Sequence, residues 1–224
     1  MGKNGLGKKV PLLFVIAIVA CALIIFLPAG TLEYWQGWAY IAATFVPAAF
    51  VVSYFVKKDP EFLKRRMKMK EKEAKQGVIQ IASGIVFFIG FVIPGLDYRF
   101  GWSNVPFEFA IAADVIVFLG YLLVFWVFRE NSYAGRTVVV EKGQKVISTG
   151  PYAIVRHPMY SGVIAMFLAT PIALGSYWAF PIFLLLVPLL VARILNEEEV
   201  LKRDLKGYIE YCKKTKYRLL PLVW

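Results

Sequence analysis

Arg156, His157 and Tyr160 place a fixed cation, a ring that can donate or accept, and a phenolic hydroxyl within about one helical turn. His157 is the only histidine of the chain, and it stands directly before Pro158, a residue suited to the first position of a helix. Such a histidine can simply cap the helix, but the arginine and tyrosine beside it also make a set of groups able to bind a polar ligand. Free backbone amides at that helix start would attract a carboxylate. Further along the chain come Arg193 and the run Glu197, Glu198, Glu199. Successive residues of a helix point about 100° apart, so at most two of these acids can face one pocket and Glu199 is expected in solvent. Acids at a helix C-terminus oppose the helix dipole, so the helix carrying them is expected to run on beyond them.

Two apolar stretches, at about 158–175 and 178–195, lie between the two groups. Each is near the length that crosses a bilayer as a helix. A hairpin of two such helices returns the chain to the side it left and brings Arg156, His157 and Tyr160 to Arg193 and the glutamates. Further apolar runs lie at about 10–28, 36–56, 78–95 and 107–128, and 59% of all residues are apolar. The fold class expected is therefore an all-α integral membrane protein of about six transmembrane helices, with a C-terminal helical hairpin and a cytoplasmic amphipathic tail helix. Residues 1–128 form the N-terminal helices and 129–224 the region that carries the site.

The net charge of +11 could suggest nucleic acid, but its distribution points to a membrane. Lys and Arg number three before the first span, nine in 57–75, five in 129–156 and eight from Arg193 on, against one in all the intervening loops. That alternation puts both termini, the basic loop 57–77 and the loop 129–156 on the cytoplasmic side. The same charges attract anionic lipid headgroups, and no basic recognition module for nucleic acid is present. The first apolar run has a basic start but no small-residue cleavage site, and it is read as a retained span.

Elsewhere, Asp59-Pro60-Glu61 reads as an N-cap followed by a helix, with Phe62, Leu63, Met67 and Met69 on its apolar side. This segment is either a solvated loop or a helix on the inner leaflet. Thr137 to Val140 and Glu141 to Val146 allow a short strand-turn-strand. Leu201, Leu205, Tyr208 and Cys212 recur at helical spacing and predict one tail helix, after which the apolar 219–224 packs back on the protein or the lipid. Asp114 is an acid inside a span, expected to make a structural hydrogen bond. Cys21 and Cys212 indicate no disulfide, one histidine cannot build a histidine-rich metal site, and no Gly-rich nucleotide motif occurs.

The sequence Gly-Pro-Tyr-Ala-Ile-Val-Arg-His-Pro-Met-Tyr-Ser-Gly from Gly150, with Arg193-Ile-Leu-Asn-Glu-Glu-Glu and Gly207-Tyr-Ile-Glu-Tyr, resembles the isoprenylcysteine carboxyl methyltransferase family and its phospholipid methyltransferase relatives. The resemblance covers about 131–224. It implies S-adenosylmethionine as cofactor, held by His157, Tyr160, Glu197 and Glu198, with the Gly150, Pro151, Tyr152 turn closing the pocket. It also implies a lipophilic small-molecule or prenylated substrate arriving from the bilayer, with Arg156 and Arg193 orienting its carboxylate in the carboxyl methyltransferases. Relatives methylate carboxylates or phospholipid amines, and sterol reductases share a similar Arg-His-Pro-x-Tyr element while using a nicotinamide cofactor. A non-enzymatic membrane scaffold is the remaining alternative.

Overall fold

The computed structural model describes residues 3–67 and 73–224, and among these the regular structure is all helical. The order is α1 (Lys3–Ala29), α2 (Trp35–Lys58), α3 (Pro60–Arg66), α4 (Ala74–Phe100), α5 (Phe107–Glu130), a 3-10 turn (Gly150–Ala153), α6 (Pro158–Ala173), α7 (Phe180–Leu184), α8 (Leu186–Asp204) and α9 (Tyr208–Lys214). Among the described residues five segments are long and apolar enough to cross a bilayer: Lys9–Ala29, Trp35–Lys58, Ala74–Phe100, Phe107–Glu130 and Phe180–Asp204. Their outward faces carry exposed Val15, Leu23, Phe88, Val115 and Leu122, as contact with hydrocarbon requires.

The first hairpin arm is the short one of the six predicted spans. Pro158–Ala173 has 16 residues, about 24 Å of helix against the ~30 Å of a hydrocarbon core. The second arm starts as α7, turns slightly at Leu185 and continues as α8 to Asp204, so the helix does run on through the glutamates as the dipole argument required. At the end of the bundle away from them, Asp97 closes the connections. It is 1% exposed and accepts from Ser103 N and Oγ, both at 2.7 Å, and from Ser176 Oγ.

α5 and α6 make the most extensive helix contact in the molecule. Gly120 and Gly162 allow it: a Cβ on Gly120 would stand 2.3 Å from Met166 Cγ and 3.2 Å from the Gly162 carbonyl oxygen. Small residues let two backbones approach where apolar side chains gain nothing over lipid.

Three expectations are corrected. The 137–146 region is not a strand pair among the described residues. Within it Gln144 N donates to Glu141 O at 3.0 Å in a turn, and just before it Ser132 O and Gly135 O accept from Arg65 Nε and Arg66 Nη1, each at 3.0 Å. The tail is not one helix: α8 stops at Asp204 and Gly207 adopts φ 88° before α9 begins. Asp114 is buried, but neither carboxylate oxygen has a hydrogen-bond partner among the described residues. By contrast, Asp59 caps α3 by accepting from Phe62 N at 2.9 Å, and Phe62 and Leu63 turn toward Phe55 and Phe128 in the bundle. Met69 lies outside the described residues.

Gly120→Ala forces Met166 to move, while Gly84→Ala meets nothing within 4 Å. The first is expected to lower stability by about 1–3 kcal/mol and the second to be neutral or to raise it by up to about 1 kcal/mol, read by thermal unfolding in one detergent.

Candidate functional site

The hairpin brings the two groups together around Glu198. This carboxylate is 2% exposed in its side chain and sits one turn past Ile194, where α8 passes the start of α6. Arg156 Nε donates to its Oε1 at 2.7 Å and His157 Nε2 lies 3.2 Å from the same oxygen. Lys202 Nζ donates to Oε2 at 3.5 Å, one turn along the same helix. Arg218 Nε stands 3.2 Å from Oε2, but its N–H is not aligned, so this is a charge contact without a hydrogen bond. His157 therefore does not cap α6 with its side chain; it serves the acid.

Arg156 is further tied to the tail. Its Nη1 donates to Thr215 O at 3.1 Å and Lys216 O at 2.9 Å, while Arg156 N and His157 N donate to Tyr217 O and Arg218 O, each at 2.9 Å. Leu219 then packs on Tyr160 and Ile194, with Trp224 beside them. The tail packs back on the protein, as its composition suggested, and it does so against this ion cluster.

Glu197, the neighbouring acid, faces a different way. It and Arg193 lie one turn apart on α8 and both line a pocket at the end of the spans. Tyr160 joins them: its hydroxyl donates to Glu197 Oε2 at 2.7 Å and accepts from Arg193 Nε at 2.9 Å. Arg193 Nη2 donates to Arg136 O at 2.5 Å, which draws the 131–149 loop over the pocket. Glu199 points outward, 68% exposed, with Lys75 Nζ at 3.9 Å. The three acids thus take three environments: one buried, one lining the pocket and one in solvent.

The pocket measures about 830 Å³ with the open space at its mouth included. Tyr133, Tyr152, Tyr208 and Tyr211 supply aromatic wall, and Val138, Val139, Val146 and Ile147 of the loop an apolar strip. Tyr208 is 4% exposed, with the Cys212 thiol one turn along α9 beside its hydroxyl. Burial, and then the charge of Glu198, push that hydroxyl well above its ordinary range, so it stays a neutral donor. Arg66 lies over the Phe128 ring at 4.7 Å; burial pulls its guanidinium down to about 10, against Tyr160 and with the help of Arg136 and Arg193. It remains charged at neutral pH.

Of the predicted residues, Tyr152, Arg156, His157, Tyr160, Arg193 and Glu197 line the pocket. Glu198 lies behind it, and Gly150 and Pro151 lie at the turn that presents Tyr152. Gly150 holds φ 55° there, with the Glu130 carboxyl carbon 3.0 Å from where a Cβ would stand. Sequence reasoning missed Arg66, Arg218 and Tyr208, and also Gln76, which donates to Asn196 Oδ1 at 2.8 Å and to Arg193 O at 3.1 Å. Only Tyr208 carried a signal, since it lies within the quoted tail motif.

Residues 109–206, from α5 to the end of α8 and just beyond, match the family model described as phospholipid methyltransferase. That stretch contains every predicted site residue. The chain is also 34% identical over 105 residues to the Delta(14)-sterol reductase TM7SF2 of Mus musculus, a match covering 43% of this chain and 25% of that protein. The chain thus spans about a quarter of the length of that curated relative. Methyltransferases and sterol reductases are the two groups to which the Arg-His-Pro-x-Tyr element pointed.

Removing one partner of a buried ion pair leaves the other uncompensated, at about 3–5 kcal/mol. Glu198→Gln is therefore expected to lower thermal stability in detergent by that order, while Glu199→Gln leaves it unchanged within about 0.5 kcal/mol. Equal losses in the two variants would show that Glu198 is not the hub of the cluster.

Proposed function

We propose that this chain is an integral membrane methyltransferase that uses S-adenosylmethionine and acts on a lipophilic acceptor from the bilayer. The observation that carries the reading is the Arg193–Tyr160–Glu197 chain lining a pocket at the end of the spans. The match to phospholipid methyltransferases over the same residues supports it.

The residues present fit the cofactor. Glu197 offers a carboxylate to its amine or ribose hydroxyls, the valine and tyrosine walls fit a flat base, and the Tyr208 hydroxyl gives one further polar contact. His157 and Tyr152 complete that side of the wall. Bound there, the cofactor supplies a methyl group already activated on a sulfonium. The task left to the protein is to position and desolvate. Tyr160 holds Glu197 and Arg193 apart in fixed directions, the 131–149 loop excludes water, and Glu198 acts from behind by fixing Arg156 and His157.

For the acceptor we favour a carboxylate, as in isoprenylcysteine carboxyl methylation. Lys145 and Arg193 line the pocket as cations, and Arg193 has the planar fork that matches a carboxylate. Arg156 lines it too, held through two nitrogens by Glu198 and the tail, much as Arg193 is held by Tyr160 and Arg136 O. The alternative is transfer to a phospholipid amine. The family match supports it, and Glu197 would then serve a cationic headgroup.

Calorimetry with S-adenosylmethionine, S-adenosylhomocysteine and reduced nicotinamide dinucleotides tests the reading, followed by labelled-methyl transfer into a total lipid extract. Binding of the first two is expected; binding of the nicotinamide alone would move the chain to the reductases. Arg193→Lys is expected to slow turnover on a carboxylate acceptor by about one to two decades, the worth of a charge-assisted hydrogen bond at roughly 1.5–3 kcal/mol. Cofactor affinity should change far less. Normal turnover by Arg193→Lys would put the amine acceptor ahead.

The Lys and Arg alternation supports a cytoplasmic site with both termini on the same side. A cysteine placed at Lys72, outside the described residues, is expected to react with impermeant reagent only from the cytoplasmic side. Labelling from the opposite side alone would reverse the orientation.

A further inference from the structure

The tail segment 219–224 is anchored to the protein on one side only. Leu219 is buried with Tyr160 and Ile194, and Trp224 packs beside them. Leu220, Leu222 and Val223 are exposed, Leu222 at 85%. The hydrogen bonds give the direction in which this part of the chain runs. Tyr217 O accepts from Arg156 N and Arg218 O from His157 N, each at 2.9 Å, and Leu219 O accepts from Ser161 Oγ at 2.7 Å. Each step along the tail is thus a step along the start of α6. Ile194 gives the same depth from the other arm, because it lies one turn before Glu198 on the bilayer side. The segment therefore leaves the ion cluster and descends toward the spans.

Its backbone is prepared for an apolar medium, where every N–H needs an internal partner. The amides of Arg218, Leu219 and Leu220 donate to Trp224 O at 2.7, 2.9 and 3.4 Å, and those of Val223 and Trp224 donate to Leu220 O, each at 3.2 Å. Pro221 has no N–H. The result is a closed turn with leucine and valine at its tip. Leu222 holds φ 67° there, a conformation that glycine adopts at less cost. Its exposed side chain gains little from the protein in return.

The surroundings match a bilayer. With 16 residues α6 falls short of the hydrocarbon core by about 6 Å, and the turn supplies apolar surface where α6 begins. Lys213, Lys214 and Lys216 stand exposed just before it, on the water side, where anionic headgroups attract them. We propose that residues 219–224 are a re-entrant membrane anchor, with Leu220, Leu222 and Val223 among the acyl chains of the leaflet next to the site. The partner is the lipid of that leaflet. The strap it ends also carries Thr215 O and Lys216 O to the Arg156 guanidinium, so the site's covering segment is fastened to the bilayer itself. The anchor depends neither on the cofactor nor on the acceptor assigned to the pocket.

The test uses the full chain with Cys21 and Cys212 replaced by alanine, in vesicles of phosphatidylcholine and phosphatidylglycerol. Single cysteines at positions 220, 222 and 223 carry a nitroxide, with positions 115, exposed on a span, and 213, exposed before the anchor, as lipid and water references. Spin relaxation by oxygen, which concentrates in acyl chains, is compared with relaxation by a water-soluble nickel chelate. The three tail labels are expected to follow position 115, relaxed by oxygen and shielded from nickel, and position 213 to show the reverse. Leu222→Asp puts a charge at the tip and should turn the labels at 220 and 223 to the water pattern. Thermal unfolding shows that each labelled chain is folded, and three separate positions keep the test intact if one is not. Nickel access at the tail labels equal to that at position 213 overturns the proposal. So does poor access by both reagents, which would place a second copy or another protein over the turn instead of lipid.

Discussion

The rest of the site depends on one buried carboxylate. Glu198 lies where three separated parts of the chain converge: the Arg156–His157 step before α6, the body of α8, and the tail from Thr215 on. A charge that is 2% exposed is tolerable only with donors around it, and here they come from both sides of the hairpin. Moving any one segment would leave either an acid or an arginine unpaired in a low dielectric. The cluster therefore fixes the register between α6 and α8, and with it the distance between Tyr160 and Glu197 in the neighbouring pocket wall.

That placement explains why two adjacent glutamates do different work. The 100° step along α8 turns Glu198 inward and Glu197 to the pocket, so one acid sets the geometry and the other is available to a ligand. The arginines divide in the same way. Arg156 has two nitrogens held by Glu198 and by carbonyls of the tail, whereas Arg193 reaches the pocket through the Tyr160 hydroxyl and grips the 131–149 loop through Arg136 O. Sequence motifs list these residues together, but their burial separates them into a hub and a wall.

The spans, the hairpin and the convergence of its two ends were legible because long apolar runs and a single histidine beside proline leave few alternatives. Glu199 was legible as the outward acid from helical geometry alone. The interior partners were not. Whether Arg156 would face a ligand or Glu198 depends on the tail returning to cover it, and nothing in the composition of 215–224 specifies that its carbonyls accept from a guanidinium. The loop at 137–146 misled for a related reason: β-branched residues predict a strand only where a partner strand pairs with them, and among the described residues no ladder forms there. The tail helix also broke despite its regular apolar spacing, because Leu205 is extended at φ −106°, ψ 106° and Gly207 at φ 88° turns the chain before α9 starts.

Polarity is sorted along the bundle. Charged side chains collect at the end with Glu198, where the 131–149 loop and the tail cover them, while a second cavity, inside the spans among α1, α2, α4, α5 and α6, holds only hydroxyls, a thiol, a thioether and aromatic rings as its non-aliphatic groups. A polar molecule entering from water therefore meets arginine, glutamate and tyrosine before it meets lipid, and a lipid entering the second cavity sideways past its exposed Ala17 and Ala20 meets no charge. The short α6 links the two regions. Its first turn carries Tyr160 into the polar wall, and its last turns carry Phe167 and Thr170 into the apolar one, so the Gly120–Gly162 contact that seats α6 against α5 positions both.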